Sequence, residues 1–284
     1  MSWIVLAIIS AITNSLTRIL QKLLLKDDQS DPLAFSFVFQ TLVAGIFLIY
    51  TVITNTLEFP NLPSMWINLV ILALFYSLGN LLTFKAFKLA EASEVAIIFA
   101  SSSLWSVISA VLVLGEKLSS RNLVGIALIV TSIIVVNYVK SSWKFNKGHL
   151  FALLGAVLFG SAFTNDALII NKFQSIPSYM ILAFALPGFT TLAYSSKTFS
   201  KLKYFINLHT LGKLIICSSF YSLSALTIYS AYRLGGQISI ISPIQQTSII
   251  LTVLFGYLFL KEQKNLLNKI IGAALAFAGV LLLI

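Results

Sequence analysis

The chain has 284 residues, 58% of them hydrophobic and only 10% charged, with nineteen Lys and Arg against nine acids for a net charge of +10. A water-soluble domain of this length cannot hide that much apolar surface in one core, so lipid is the expected solvent. The basic residues are scattered over short loops without an aromatic stripe, which argues against nucleic-acid binding, and the lone Cys217 excludes an internal disulfide and a cysteine metal site.

Apolar segments of roughly 18–25 residues suffice to cross a bilayer. Ten are predicted, at about 3–25, 33–54, 65–88, 93–115, 121–139, 148–170, 177–195, 209–232, 237–260 and 266–284. They lack period-2 alternation, which excludes a β-barrel. Only 140–147 and 196–208 read as linkers; the other loops are short and marked by Asp31-Pro32, Pro60-Asn61-Leu62-Pro63 and Gly235-Gly236. The run from Trp3 to Ile12 has no basic n-region and no Ala-x-Ala cleavage site, so it reads as a first span and not a signal peptide.

The first span carries Asn14, Arg18 and Lys22 at steps of four, with Gln21 beside them, so one face turns polar past mid-membrane. A charge at that depth costs from about 3 to over 10 kcal/mol unless it faces protein or water. Arg18 is therefore a candidate anchor for a substrate carboxylate or phosphate, the alternative being that it snorkels to the interface, as Lys22 is expected to do. The third span aligns Tyr76, Gly79, Asn80 and Thr83, and Tyr76 and Asn80 are candidate cavity-lining residues. Trp105 stands mid-span in the fourth, on a face with Ser102, Ser106 and Ser109, where it could stack on a flat substrate or pack in the core. Trp3, Trp66 and Trp143 fall at span ends and fit an interfacial belt.

Asp166, in the sixth span beside Asn165, is a candidate proton carrier for coupled transport; the alternative is an interfacial acid. Pro187 reads as a kink or hinge in the seventh span. The eighth offers Tyr221, Ser222 and Ser224, and the ninth has Ser242-Pro243 followed by Gln245-Gln246-Thr247-Ser248. A proline inside a span frees a backbone carbonyl, and next to two amides that is tolerated where the helix lines a wet cavity. His149 and His209 sit at span boundaries, away from acids in sequence, and no metal-ligand cluster, nucleotide loop or nucleophile–His–acid set stands out, so no cofactor and no enzyme activity is expected.

The two halves echo each other. At a constant offset of 145 residues Phe75-Tyr76-Ser77-Leu78 returns as Phe220-Tyr221-Ser222-Leu223, Gln29-Ser30-Asp31-Pro32 as Gln174-Ser175-Ile176-Pro177, and Ala86-Phe87-Lys88-Leu89 as Ala231-Tyr232-Arg233-Leu234. The predicted organisation is a first five-helix repeat at 1–140, a linker at 141–147 and a second five-helix repeat at 148–284. Five crossings per copy is an odd number, so the second copy enters the membrane upside down. The expected fold is all-α integral membrane, ten transmembrane helices as two inverted five-helix repeats, and such repeats are the signature of secondary transporters.

Leu114-Gly115-Glu116-Lys117-Leu118 followed by Val124-Gly125, and Leu260-Lys261-Glu262 followed by Ile271-Gly272, resemble the EamA-type transporters of the drug/metabolite transporter superfamily, as do the five-plus-five spans. In that family a Gly-Glu-like pair closes the fourth span of each half and a glycine opens the fifth. The second copy here departs from it, with Lys261 in place of the glycine and one extra residue of spacing. Glu116 and Glu262 are expected to be structural, each favouring the dipole of the helix that follows. The resemblance implies a central cavity lined by helices one, three, four, six, eight and nine.

The expected function is secondary transport of a small polar or zwitterionic metabolite, an amino acid or related organic anion, by alternating access in the plasma membrane, as a monomer or homodimer. Arg18, Tyr76, Asn80, Trp105, Tyr221, Gln245 and Gln246 are the expected substrate contacts, and Asp166 the coupling candidate. An exporter of hydrophobic drugs, or a receptor, scaffold or channel, are the alternatives. Orientation is contested. Fourteen basic residues fall on the side opposite the termini and four on the termini's side, which places the termini outside, whereas related transporters usually keep them in the cytoplasm.

Overall fold

The structure, a computed structural model, describes residues 2–114, 119–139, 142–143, 145–195, 198–234 and 238–283, with side chains at these positions except 114, 138–139, 142–143, 198, 232–233 and 238–243. Gly115-Glu116-Lys117-Leu118 and Gly235-Gly236 therefore lie outside the described residues, as do the side chains of Trp143, Ser242 and Pro243.

The helices are α1 (Trp3–Leu25), α2 (Pro32–Ile53), α3 (Trp66–Leu89), α4 (Ala92–Phe99), α5 (Ser102–Leu114), α6 (Ser120–Asn137), α7 (Lys147–Ile169), α8 (Ile176–Leu192), α9 (Thr198–Ile206), α10 (Leu208–Arg233), α11 (Ile238–Leu260) and α12 (Leu266–Leu283). Among the described residues eight helical stretches are long and apolar enough to cross a membrane, and two shorter apolar stretches, Ile176–Leu192 and Ile244–Leu260, accompany them. The chain is an all-α, multi-pass membrane protein.

Local chemistry sets the helix starts. Asp31 caps α2 by accepting the Leu33 and Ala34 N–H groups, with Pro32 as the first helical residue. Ser175 does the same for α8 through the Ser178 N–H, with Pro177 in the opening turn. The duplicated Ser/Asp–Pro segments thus perform one job, since a short polar cap and a proline that has no N–H to satisfy both suit a first turn.

Two elements differ from expectation. The fourth span is not continuous: it breaks at Ala100–Ser101 into α4 and α5, with the Ser101 hydroxyl donating to the Ile98 carbonyl at 2.7 Å. Neither proline nor glycine causes the break. The expected linker at 196–208 folds into α9, an amphipathic helix whose Phe199 and Ile206 are exposed. The end of the predicted fifth span and the other linker form a two-residue antiparallel ladder, Tyr138–Val139 with Ser142–Trp143.

Each half packs chiefly on the other. The most extensive interfaces are α3 with α7, α6 with α12, α1 with α10, and α2 with α8. Side-chain pairs give their directions. On α1 and α10, Ser10 meets Ser224 while Thr17 meets Cys217, so these helices are antiparallel. The Lys22 ammonium at the end of α1 reaches the Phe87 and Ala90 carbonyls at the end of α3, so α1 and α3 run the same way. Consequently α3 and α10, which carry Tyr76 and Tyr221, cross in opposite directions.

Small residues permit the closest crossings. A Cβ on Gly125 of α6 would stand 2.7 Å from the Gly279 carbonyl oxygen of α12, and one on Gly279 would stand 2.8 Å from that of Gly125. In lipid, where no hydrophobic force pulls helices together, such backbone approach supplies the packing energy.

Candidate functional site

Between the halves lies a cavity of about 350 Å³. Its polar lining comes from Asn14, Thr17, Arg18 and Gln21 of α1, Tyr76, Asn80 and Thr83 of α3, Asp166 of α7, Tyr179 of α8, Tyr221 of α10, and Gln245 and Gln246 of α11. Ser102 and Ser103, at the break between α4 and α5, also face it. A helix interrupted at membrane depth is tolerated where its backbone lines such a space. Phe39, Phe99, Phe159, Phe163 and Phe184 supply the apolar walls.

Arg18 reaches the cavity from the face of α1 that turns polar. Its Nη1 is buried without a hydrogen-bond partner, and no carboxylate among the described residues pairs with it. Asp166, in the last turn of α7, accepts the Tyr76 hydroxyl on Oδ2. The Tyr179 hydroxyl, from the first turn of α8, stands beside the same carboxylate. Tyr221 lies within electrostatic reach of both Arg18 and Asp166. Its ring is held edge-on by Phe39 and Phe184 at centroid distances of 5.6 and 5.2 Å. Asn80 donates to Gln40 Oε1 at 3.2 Å, and Gln40 in turn donates to the Ser36 hydroxyl at 2.8 Å.

Of the residues predicted from sequence, Arg18, Tyr76, Asn80, Asp166, Tyr221, Gln245 and Gln246 line this one cavity. Trp105 does not. It packs on α7, where a Cβ on Gly160 would come within 2.6 Å of the Trp105 Cβ, so the indole belongs to a close helix crossing. Tyr179 escaped sequence reasoning altogether. A tyrosine one turn into a span looks like an interfacial anchor, and its carboxylate neighbour is on another helix.

One face of the molecule, the face opposite the termini, is tied together by polar contacts. Glu262, in the loop before α12, accepts the Ala92 N–H at 2.7 Å, the Ser93 N–H at 3.1 Å and the Ser93 hydroxyl. It thus caps α4 in the other half and not the helix that follows it, contrary to expectation. Lys269 pairs with Glu91, His149 with Glu94 at 3.0 Å, and Lys201 with Asp31 at 2.6 Å. These ion pairs all join the first half to the second, and every ion pair among the described residues lies at this face. Lys22 does not snorkel: its ammonium caps α3 through the Ala90 carbonyl at 2.6 Å and the Phe87 carbonyl at 2.7 Å. His149 is buried against an acid that its sequence neighbours do not contain.

Electrostatics at this face pull two ways. Burial pushes the Glu91 carboxyl above its ordinary value, opposed by the Lys269 ammonium. Burial also acts to raise Asp31, but the Lys201 ammonium and the Ala34 and Leu33 N–H groups together outweigh it, holding the carboxyl below its usual range.

Residues 1–138 match the EamA-like transporter family. A solved structure described only as "Crystal structure of protein" aligns with a TM-score of 0.54 at 16% identity, covering 96% of this chain and 97% of that one, a likeness of fold. No curated protein matches.

Proposed function

We propose, from a first half that matches the EamA-like transporter family, that this chain is a secondary transporter carrying a small polar metabolite with an acidic group by alternating access. The observation that carries the reading is the Arg18 guanidinium, unpaired by any carboxylate among the described residues, in a cavity between the halves. An ion buried without a counter-charge costs several kcal/mol, so a site that keeps one is built to receive the opposite charge from a ligand. The planar fork of arginine suits a carboxylate or phosphate.

Two five-helix halves, 1–140 and 148–284, related as inverted repeats, account for the reciprocal packing. The first helix of one half lies on the third of the other in both directions, α1 on α10 and α7 on α3. Opposed directions of α3 and α10 support the same relation. In this reading the halves rock about the cavity, and the contacts of Glu262, Lys269, His149 and Lys201 hold one face shut. By its fourteen basic residues that face is cytoplasmic, in the plasma membrane.

Purified protein in liposomes, assayed by counterflow with a panel of radiolabelled amino acids, nucleosides and sugar phosphates, tests the function. Saturable uptake of at least one acidic or zwitterionic solute is expected. No saturable flux for any of them, with protein shown to be folded, would remove the reading.

A further inference from the structure

We infer that α9 is a membrane-surface helix that receives anionic phospholipid headgroups from the leaflet at the face opposite the termini. Phe199 and Ile206 enter the acyl boundary, and Lys203 and Lys213 meet the phosphates. The inference needs only the membrane placement of the chain and is independent of the transporter reading.

The nine residues of α9 present three different flanks. Leu202 and Phe205, three positions apart, are buried, and the Phe205 ring meets Phe35 edge-on at 5.7 Å. Lys201 turns to Asp31, and Tyr204, three positions on, hydrogen-bonds Asp27, so this second flank takes up acids of the loop between α1 and α2. Phe199 and Ile206, seven positions apart, share the third flank with Lys203 and are 61% and 60% exposed. Side chains this apolar and this open are tolerated where a helix lies along a bilayer surface with one side sunk below the headgroups.

The third flank leads into the lipid-facing side of a span. Leu208, two residues after Ile206 and the first of α10, is 86% exposed, and Ile215, on the same side seven residues later, is exposed as well. A Cβ added to Gly212, between them, would find nothing within 4 Å. α10 is long and apolar enough to cross the membrane, so the stripe it presents here is covered by acyl chains.

Charge selects the headgroup. Between Asp166 and Glu262 the sequence contains no acid. Lys203, and Lys213 in the second turn of α10, are exposed and form no ion pair among the described residues. A neutral leaflet would cover Phe199 and Ile206 and leave both lysines without a counter-charge. A free anion would satisfy the lysines and leave the apolar flank in water. An anionic phospholipid answers both.

The thermal midpoint of the purified full-length protein in a neutral detergent, titrated with phosphatidylglycerol or phosphatidylcholine, tests the inference. Phosphatidylglycerol is expected to stabilise at a mole fraction at least about fivefold lower, the scale of one basic side chain at an anionic surface. K203Q/K213Q should lose that preference. K147Q/K264Q, which removes the same charge from exposed positions elsewhere on this face, should keep it. Inorganic phosphate should not replace the lipid. A nitroxide attached at F199C, over the low background of the buried Cys217, should be more accessible to oxygen than to a water-soluble nickel chelate in phosphatidylglycerol liposomes.

Equal response of the wild-type protein to the two lipids overturns the inference, as does a preference that survives in K203Q/K213Q. Equal losses in the two double variants would assign the effect to net charge and not to α9, and stabilisation by inorganic phosphate to the same extent would make the ligand a free anion. A nitroxide at 199 that favours the nickel chelate would place the flank in water and reject the anchor. None of these outcomes depends on flux, so this surface and the transporter reading stand or fall separately.

Discussion

Glu262 holds Ser93 by both its backbone N–H and its hydroxyl, across the boundary between the two halves. A carboxylate at a helix N-terminus gains from the orphan N–H groups and the helix dipole, an interaction reaching about 2 kcal/mol when partly buried. Glu262 is itself buried, so the contact is dry and directional. In the proposed alternating-access cycle, opening this face would require breaking it.

E262Q keeps the shape of the side chain and removes its charge. A cysteine introduced at Val95, in the first turn of α4 and lining the cavity, should then react faster with a membrane-impermeant maleimide added to the basic-loop face. A rise of several-fold is expected. The native Cys217 is buried and supplies a low background. Equal labelling of E262Q and the parent would show that the cap does not hold this face closed.

Lys201 and Asp31 offer a charge-swap test. Each single reversal, D31K or K201D, should open the face to the same reagent, and the double reversal should restore protection only in part, because a lysine at position 31 cannot accept the Leu33 and Ala34 N–H groups that Asp31 caps. The pair is only partly shielded, so its energy is small, within about 1 kcal/mol.

The pH dependence of that contact follows from the depressed Asp31 carboxyl. A group whose folded value lies below its ordinary 3.8 contributes stability that is fully present above 3.8 and is lost as pH falls through the lower, folded value. The Asp31 contribution, read as the difference in labelling between the parent and D31N, should therefore be the same at pH 5 as at pH 7.5. That difference should begin to change only below about pH 4, whereas any change shared by both proteins at higher pH belongs to the raised Glu91 carboxyl paired with Lys269.

On the proposed reading Arg18 acts on substrate binding and not on the closure of the basic-loop face. R18Q should weaken binding of the transported acid about 10–100-fold, and R18K less, because an ammonium replaces the fork with a point charge. Concentration dependence of counterflow measures both. A normal half-saturation in R18Q would exclude the guanidinium from substrate contact.

Gly125 and Gly279 govern stability through their crossing. G125A would press a methyl group against the Gly279 carbonyl, and overpacking of this kind costs about 1–3 kcal/mol. The thermal midpoint in detergent should fall by several degrees. Gly45 has nothing within 4 Å of an added Cβ, so G45A should leave the midpoint unchanged or raise it, since alanine favours the helix.

Much of this protein was legible in its order of residues. Apolarity and length are local properties, and lipid rewards them one segment at a time, so the spans could be placed without knowing their neighbours. The polar face of α1 and the repeated tyrosines of α3 and α10 were equally visible, because helical periodicity alone puts Arg18, Tyr76 and Tyr221 on faces that cannot be left in lipid. What tertiary structure decided was who meets whom. Glu262 caps a helix 169 and 170 positions away, His149 finds Glu94, Tyr179 stands beside Asp166, and Trp105 is taken out of the cavity by its crossing with Gly160. Such pairings depend on the packing of one half against the other, a long-range outcome of many small contacts that no window of sequence contains.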